Sequence, residues 1–278
     1  MNTDRHKYEQ LVFSGGGTRC FWQGGFLDVV RGPLGLNPAR IAGVSGGALT
    51  GVGYIAGCGL RVLEVMKSAF AAQDSNIPWN EPEQGSGLTP HQRIYREVVE
   101  DIVTADVAAA VADGPAYQIL LGHPPGESSF SATAATLAYE AELHLINAPH
   151  FNWAEKIGVT ATLVDANRAA RGGRLADLVC AAATIPPLFD MPRWDGKAVI
   201  DGGMADQAPM PDPDRGRTLI LLTRHYRNLP DLPDRHYVAP ERETPADKID
   251  FTDPDKIQDT WDCGVVDGRT FLTDHRIS

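Results

Sequence analysis

Arg40-Ile41-Ala42-Gly43-Val44-Ser45-Gly46-Gly47-Ala48-Leu49 is the stretch on which the fold turns. The run from Arg40 to Val44 reads as a buried strand and passes straight into Ser45-Gly46-Gly47. Residues 48–56 then carry helical spacing, with Gly51 and Gly53 allowing close packing on a sheet. The same grammar occurs one unit earlier. Leu11-Val12-Phe13 meets Ser14-Gly15-Gly16-Gly17, and residues 18–30 follow with apolar side chains at Phe21, Phe26, Leu27 and Val30. Strand, glycine turn and helix, twice over, is the βαβ pattern of a parallel sheet covered on both faces. Residues 41–60 hold no charge and so imitate a membrane span. Seven of those twenty are glycine, which makes a lone spanning helix poor, and the buried strand–turn–helix reading prevails.

Outward from this unit, residues 61–150 are mostly helical by pattern, most clearly over 93–111 and 132–146, with loops expected at 78–90 and 115–126. Strand signal returns at 157–164, where Val159, Ala161 and Leu163 alternate with threonine and valine. A short alanine-rich helix over 174–184 is stopped by Pro186-Pro187. A strand at 197–200 ends at Asp201-Gly202-Gly203, and another, fully apolar, covers 218–223. From Leu229 the composition changes to twelve acidic residues against six Lys and Arg, and five prolines break any long element. The expected organisation is a catalytic domain over 8–226 and an acidic, proline-containing extension over 227–278 that packs on it or trails from it.

Composition bounds the function. A chain of 278 residues buries enough apolar surface to need neither metal nor disulfide staples. With 28 glycines and 20 prolines it is not a low-complexity sequence. The formal charge of −11 argues against nucleic-acid partners, which require cationic surface to neutralise phosphates. Cys20, Cys58, Cys180 and Cys263 show no C-x-x-C spacing and read as reduced thiols. The charged first residues lack an apolar core of the secretory type, so a cytoplasmic location is expected.

Three short motifs carry chemistry. Gly43-Val44-Ser45-Gly46-Gly47 matches G-x-S-x-G, in which a strand reverses into a helix within a few residues and the strained turn thrusts the serine hydroxyl out at the sheet edge. Gly15-Gly16-Gly17-Thr18-Arg19 offers backbone N–H groups at a helix start, suited to an anion or a developing oxyanion. A dinucleotide loop is the competitor there. Cys20 occupies its last glycine position, however, and no acidic residue ends a second strand near Ile41. A P-loop lacks its Gly-Lys-Ser/Thr, and a purely structural tight turn stays open. Asp201-Gly202-Gly203 follows a strand, so its carboxylate belongs at the same carboxyl edge as Ser45. Alone it is a turn; with the other two motifs it supplies a base for the serine.

The ordered set resembles the patatin-like phospholipases. The resemblance rests on residues 11–27 (LVFSGGGTRCFWQGGFL), 43–49 (GVSGGAL) and 181–189 (AAATIPPLF), and on Asp201-Gly202-Gly203 followed by Pro209, with order and spacing agreeing over about 8–224. It implies a three-layer α/β fold, a central mostly parallel sheet with helices on both faces. It also implies a serine–aspartate dyad of Ser45 and Asp201 and an oxyanion hole from Gly15, Gly16 and Gly17. The Gly46 amide would be a further donor, and Arg19 falls on the family's arginine position. The implied activity is hydrolysis of glycerophospholipid or lysophospholipid esters through an acyl-serine. No metal or other cofactor is implied, and the only partner is a lipid ester substrate with transient contact at a membrane surface. Trp79 and residues 93–111 are the expected surface over the site. The chain departs from the family at Cys20, usually glycine, and at Asp206-Gln207-Ala208-Pro209, where asparagine usually precedes the proline.

Other readings give way on particular residues. An α/β-hydrolase also carries G-x-S-x-G with a histidine, which would be His225, but forty-four residues before Ser45 are too few for the strands that precede its elbow. Asp250, Asp253, Asp255 and Asp259 lack the EF-hand spacing. An acyltransferase or thioesterase using the same dyad, and a non-catalytic lipid-binding module of the same fold, remain as alternatives.

Overall fold

Gln10–Phe13 (β1) sits in the middle of the sheet although it is among the first residues of the chain. The computed structural model describes residues 8–72, 90–126, 147–150, 156, 158–185, 190–248 and 251–275. Arg40–Val44 (β2) pairs parallel with β1 on one side, and Ala116–His123 (β3) pairs parallel beyond it. On the other side lie Thr218–Leu221 (β8) and Arg235–Val238 (β9), both parallel. Thr160–Asp165 (β4) closes the far edge antiparallel to β3. Alternation along these strands feeds two cores, because successive side chains point to opposite faces. Leu11, Phe13, Ile41, Leu219 and Leu221 enter one, while Val12, Ala42, Ile220 and Leu222 enter the other. A strand buried on both faces needs apolar residues at every position, which is why these segments read as continuous runs.

Helices supply the larger core. They are Phe21–Val30 (α1), Gly46–Ala56 (α2), Gly59–Ala71 (α3), Pro90–Ile102 (α4), Ala105–Asp113 (α5), Ala166–Arg171 (α6), Leu175–Ala182 (α7) and Pro254–Asp274 (α8). The architecture is α/β, a mostly parallel central sheet flanked by helices. The uncharged stretch at 41–60 divides into β2, α2 and the start of α3. Among the described residues no helix is long and apolar enough to cross a membrane.

Several local expectations are corrected. The loop expected at 115–126 contains the eight-residue strand β3. Turn residues at both of its ends, Gly114-Pro115 and Pro124-Pro125, hide the alternation of Tyr117, Ile119 and Leu121 into the core. The single segment at 93–111 is two helices, separated at Thr104, which precedes α5. Their apolar residues Ile94, Val98, Val99, Ile102, Val107 and Val111 are buried in the protein, so this face is not free to meet lipid. The strand at 197–200 is two pieces. Lys197–Ala198 (β6) forms a hairpin with Arg193–Trp194 (β5), and Ile200–Asp201 (β7) joins the main sheet. The hairpin turn is Asp195-Gly196, both at positive φ (47° and 83°), the pair a two-residue turn of this type favours. The helix expected at 132–146, the loop at 78–89 and Trp79 lie outside the described residues.

The C-terminal residues also differ from expectation. Prolines do not prevent a long element: the last of them, Pro254, opens the 21-residue α8 from its first turn, and the Asp253 side chain accepts the N–H groups of Asp255 and Lys256. α8 packs along α1, where the Trp22 indole donates to Asp267 at 2.7 Å. A β-carbon at Gly264 would overlap the Trp22 carbonyl, so glycine is what lets the two backbones approach.

Candidate active site

Strand pairing brings the serine and the aspartate together. β4 occupies one edge of β3 throughout residues 118–123, so β2 and β7 share the other edge. β2 runs up that edge as far as Val44, level with Leu120, and β7 comes down it from the opposite direction to Asp201, level with Leu121. The two strands therefore meet end to end. Each must turn away at the junction, and the residues at the junction are Ser45 and Asp201. Ser45 Oγ donates to Asp201 Oδ2 at 2.6 Å, and both residues are buried. Asp201 Oδ1 accepts the Gly203 N–H at 2.7 Å, which fixes the carboxylate plane.

Ser45 stands at φ 54° and ψ −135°, a conformation that L-residues rarely adopt, as the residue before α2. Glycines clear the space around it. A β-carbon at Gly46 would lie 2.6 Å from the Gly17 carbonyl oxygen and 3.0 Å from Cys20 Sγ, and one at Gly202 would overlap the Leu120 carbonyl. The first N–H groups of α2 belong to Gly46 and Gly47, which have no intrahelical acceptor and lie beside the serine.

The glycine loop is braced from behind. Thr223 Oγ1 donates to the Gly15 carbonyl at 2.6 Å, and Gln23 Nε2 donates to the carbonyls of Ser14 (3.1 Å) and Leu221 (2.8 Å). The Gly15 N–H donates to the Gln207 carbonyl at 2.9 Å and is thereby spent. Among the described residues the N–H groups of Gly16 and Gly17 have no backbone acceptor. Gly17 is in the left-handed region (φ 58°), and its missing side chain leaves room for the Lys248 carbonyl. Thr18 Oγ1 donates to the Asp247 carbonyl, so the C-terminal segment lies against this loop. Arg19 is half-buried on the 3₁₀ turn Gly17–Cys20, and its charge is felt at Cys20 and Tyr226.

Both departures from the family pattern are accommodated. Cys20 is in ordinary right-handed helical conformation (φ −64°), so its β-carbon strains nothing, and its thiol faces the Ser14 carbonyl at 3.6 Å. Burial first, then the Asp201 carboxylate, push that thiol well above the usual cysteine range, with Arg19 opposing. It is a packing residue and not a second nucleophile. Gln207 ties the site together: its Nε2 donates to the Gly203 carbonyl at 2.8 Å while its backbone carbonyl holds Gly15. Sequence reasoning marked Gln207 only as a departure. Its proximity to both motifs was not visible, because the glycine loop lies almost two hundred residues earlier. His225 is exposed beyond β8.

Ser45 opens into a cavity of about 780 Å³ whose lining is predominantly apolar. At the serine end it is walled by Gly17, Cys20, Gly46 and Tyr95, and it extends between α1, α2 and α3 to Arg31, Leu60 and Arg61 at the surface. Among the described residues no group of three or more His, Cys, Asp or Glu could hold a metal ion. The sequence model of the family described as patatin-like phospholipase matches residues 11–214. The chain belongs to that family. No curated protein matches it. At the level of the family, this patatin-like protein is a lipid acyl hydrolase. The matched stretch runs from the second residue of β1 through β7 and contains Ser45, Asp201 and the glycine loop, while β8, β9 and α8 lie beyond it.

Proposed function

We propose that this patatin-like protein hydrolyses lipid carboxylic esters through an acyl-serine formed on Ser45, with glycerophospholipids or lysophospholipids as the substrate class. The observation that carries the reading is the 2.6 Å Ser45–Asp201 hydrogen bond at one end of a long apolar cavity. Asp201 takes the hydroxyl proton as Ser45 Oγ bonds to the ester carbonyl carbon. A carboxylate is a weak base for a hydroxyl, so the reaction depends on stabilising the oxyanion as it forms. We assign this to the N–H groups of Gly16, Gly17 and Gly46, since that of Gly15 is already engaged. Collapse of the tetrahedral species breaks the bond to the alkoxy oxygen, which leaves with the proton held by Asp201. Water then attacks the acyl-serine, giving a proton to Asp201, and as the bond to Oγ breaks Asp201 returns that proton to Ser45, releasing the free acid. None of these steps calls on a cofactor.

Contact with a lipid surface is assigned to the far rim of the cavity, where Leu60 is 55 % exposed between the exposed Arg31 and Arg61. A net charge of −11 gives no general attraction to anionic membranes, so the contact must be local. The four unpaired thiols fit a reducing, cytoplasmic location. A fluorophosphonate probe tests the assignment directly. Peptide mapping should find the adduct on Ser45. Asp201→Asn should lower kcat by about 10²–10⁴-fold, while His225→Ala keeps most activity. An adduct on another residue, or an active Asp201→Asn beside an inactive His225→Ala, would overturn the dyad.

A further inference from the structure

The cavity is longer than the reacting groups require, and its walls follow helix periodicity. On α2 the lining positions are Gly46, Leu49, Thr50, Gly53 and Tyr54, with Gly57 just past its end. Steps of three and four residues place them on one face from the start of the helix to its end. Eleven residues at the helical rise make this wall about 16 Å long. On α1 the facing positions Gly24 and Leu27, and Arg31 just past its end, recur in the same way. An extended alkyl chain built of C–C bonds advances about 1.3 Å per carbon, so roughly twelve carbons fit between Ser45 and the rim.

One wall of this channel comes from outside the family-matched stretch. Trp261, on α8, lines it and is only 5 % exposed. The six-membered edge of its indole fills the gap between α1 and α3. A β-carbon at Gly24 would overlap Trp261 Cζ3, and one at Gly59 would lie 3.4 Å from Cη2. The ring cannot easily swing aside. The Trp261 backbone presses on α1 where a side chain at Gly25 would collide with its carbonyl, and the close contact at Gly264 fixes the next turn. Gly24 lies four residues beyond Cys20, and Gly59 packs on Gly53, seven residues along α2 from Gly46, so the indole edge stands about 6–10 Å along the channel from the level of the serine.

We propose that Trp261 is a specificity-determining residue of the acyl site, narrowing the channel at its own level to one unbranched chain, with about twelve carbons inside the protein. The inference rests on the acyl-hydrolase reading above. Because the far end opens at the exposed rim, longer chains protrude and gain nothing further. For straight-chain esters kcat/KM should therefore rise with length, by up to about fourfold per methylene taken from water, and level off near twelve carbons. A methyl branch near the indole should be rejected.

The test compares p-nitrophenyl butanoate, decanoate and 3,7-dimethyloctanoate on the wild type, Trp261→Leu, Trp261→Phe and Thr50→Trp. Wild type should prefer the straight ten-carbon chain over the branched one, and Trp261→Leu should shrink that preference by about tenfold or more, with Trp261→Phe between them. Thr50→Trp puts a large ring on the opposite wall, one turn from Gly46, and should lower the decanoate-to-butanoate ratio by at least about tenfold. Equal chain profiles in wild type and variants would overturn the assignment. Calorimetric binding of decanoate and 3,7-dimethyloctanoate to Ser45→Ala, with and without Trp261→Leu, separates the two readings. Trp261-dependent discrimination without any esterase activity in the wild type would leave the channel standing and remove the hydrolase. Esterase activity whose profile ignores Trp261 and Thr50 would do the reverse.

Discussion

Replacing Ser45 by glycine and, separately, by alanine removes the same hydroxyl and the same hydrogen bond to Asp201, so the difference between the two variants isolates the backbone. Ser45 is held at φ 54° and ψ −135°. For a residue with a β-carbon such a conformation costs about 1–3 kcal/mol, whereas glycine adopts it freely. Glycine also gives the unfolded chain more freedom, which returns about 0.4–1 kcal/mol of the advantage. The Ser45→Gly protein should therefore exceed Ser45→Ala in stability by roughly 1–2 kcal/mol, equivalent to about 2–3 °C in Tm for a chain of this size. Urea unfolding followed by tryptophan fluorescence gives the free energies, and calorimetry gives the midpoints. Both proteins should be inactive, so the comparison is independent of substrate. If Ser45→Ala is as stable as Ser45→Gly, or more so, the turn stores no strain and the mechanical account of how the hydroxyl is positioned fails.

Two further outcomes follow from the site. Gly202→Ala forces a β-carbon onto the Leu120 carbonyl beside Asp201; it should cost about 1–3 kcal/mol in urea unfolding, and because the carboxylate must shift, kcat should fall by about 10²-fold in protein that is still folded. Treatment with EDTA should leave hydrolysis of a soluble short-chain ester unchanged; a loss that added metal restores would show an ion the mechanism has omitted.

What the sequence disclosed, and what it hid, follows from the range of the interactions. β2 was legible to the residue, and Ser45 with it, because an apolar run ending in Ser-Gly-Gly encodes strand, turn and helix within ten positions. α2 begins at Gly46, two residues before its apolar spacing starts, since two glycines are poor helix formers and only the crowding around Ser45 requires them there. The end-to-end meeting of β2 and β7 was not legible. It depends on β3, whose flanking glycine and prolines resemble a loop. α8 was concealed in a different way. Its inward face is Ile257, Trp261, Gly264, Gly268 and Phe271, and the two glycines that admit α1 erase the apolar stripe. The signal that was available is Asp253-Pro254, a capping residue followed by proline at the first helical position.

The placement of β1 at the centre of the sheet has a consequence in time. Ser45 is made 156 residues before the Asp201 that accepts its hydrogen bond. The Thr223 hydroxyl that braces Gly15 comes 208 residues after it, and the Asp247 carbonyl that holds Thr18 comes 229 residues after that threonine. Ribosomes add about 5–20 residues per second, so a growing chain carries its serine for roughly 10–40 s before the last of these partners exists. Through that interval β1 has β2 beside it and lacks β8, and the glycine loop lacks its backing. A nascent chain beside a membrane therefore holds an inert hydroxyl. On the proposed mechanism, the serine becomes competent only when the late strands and the C-terminal helix have closed around the early ones.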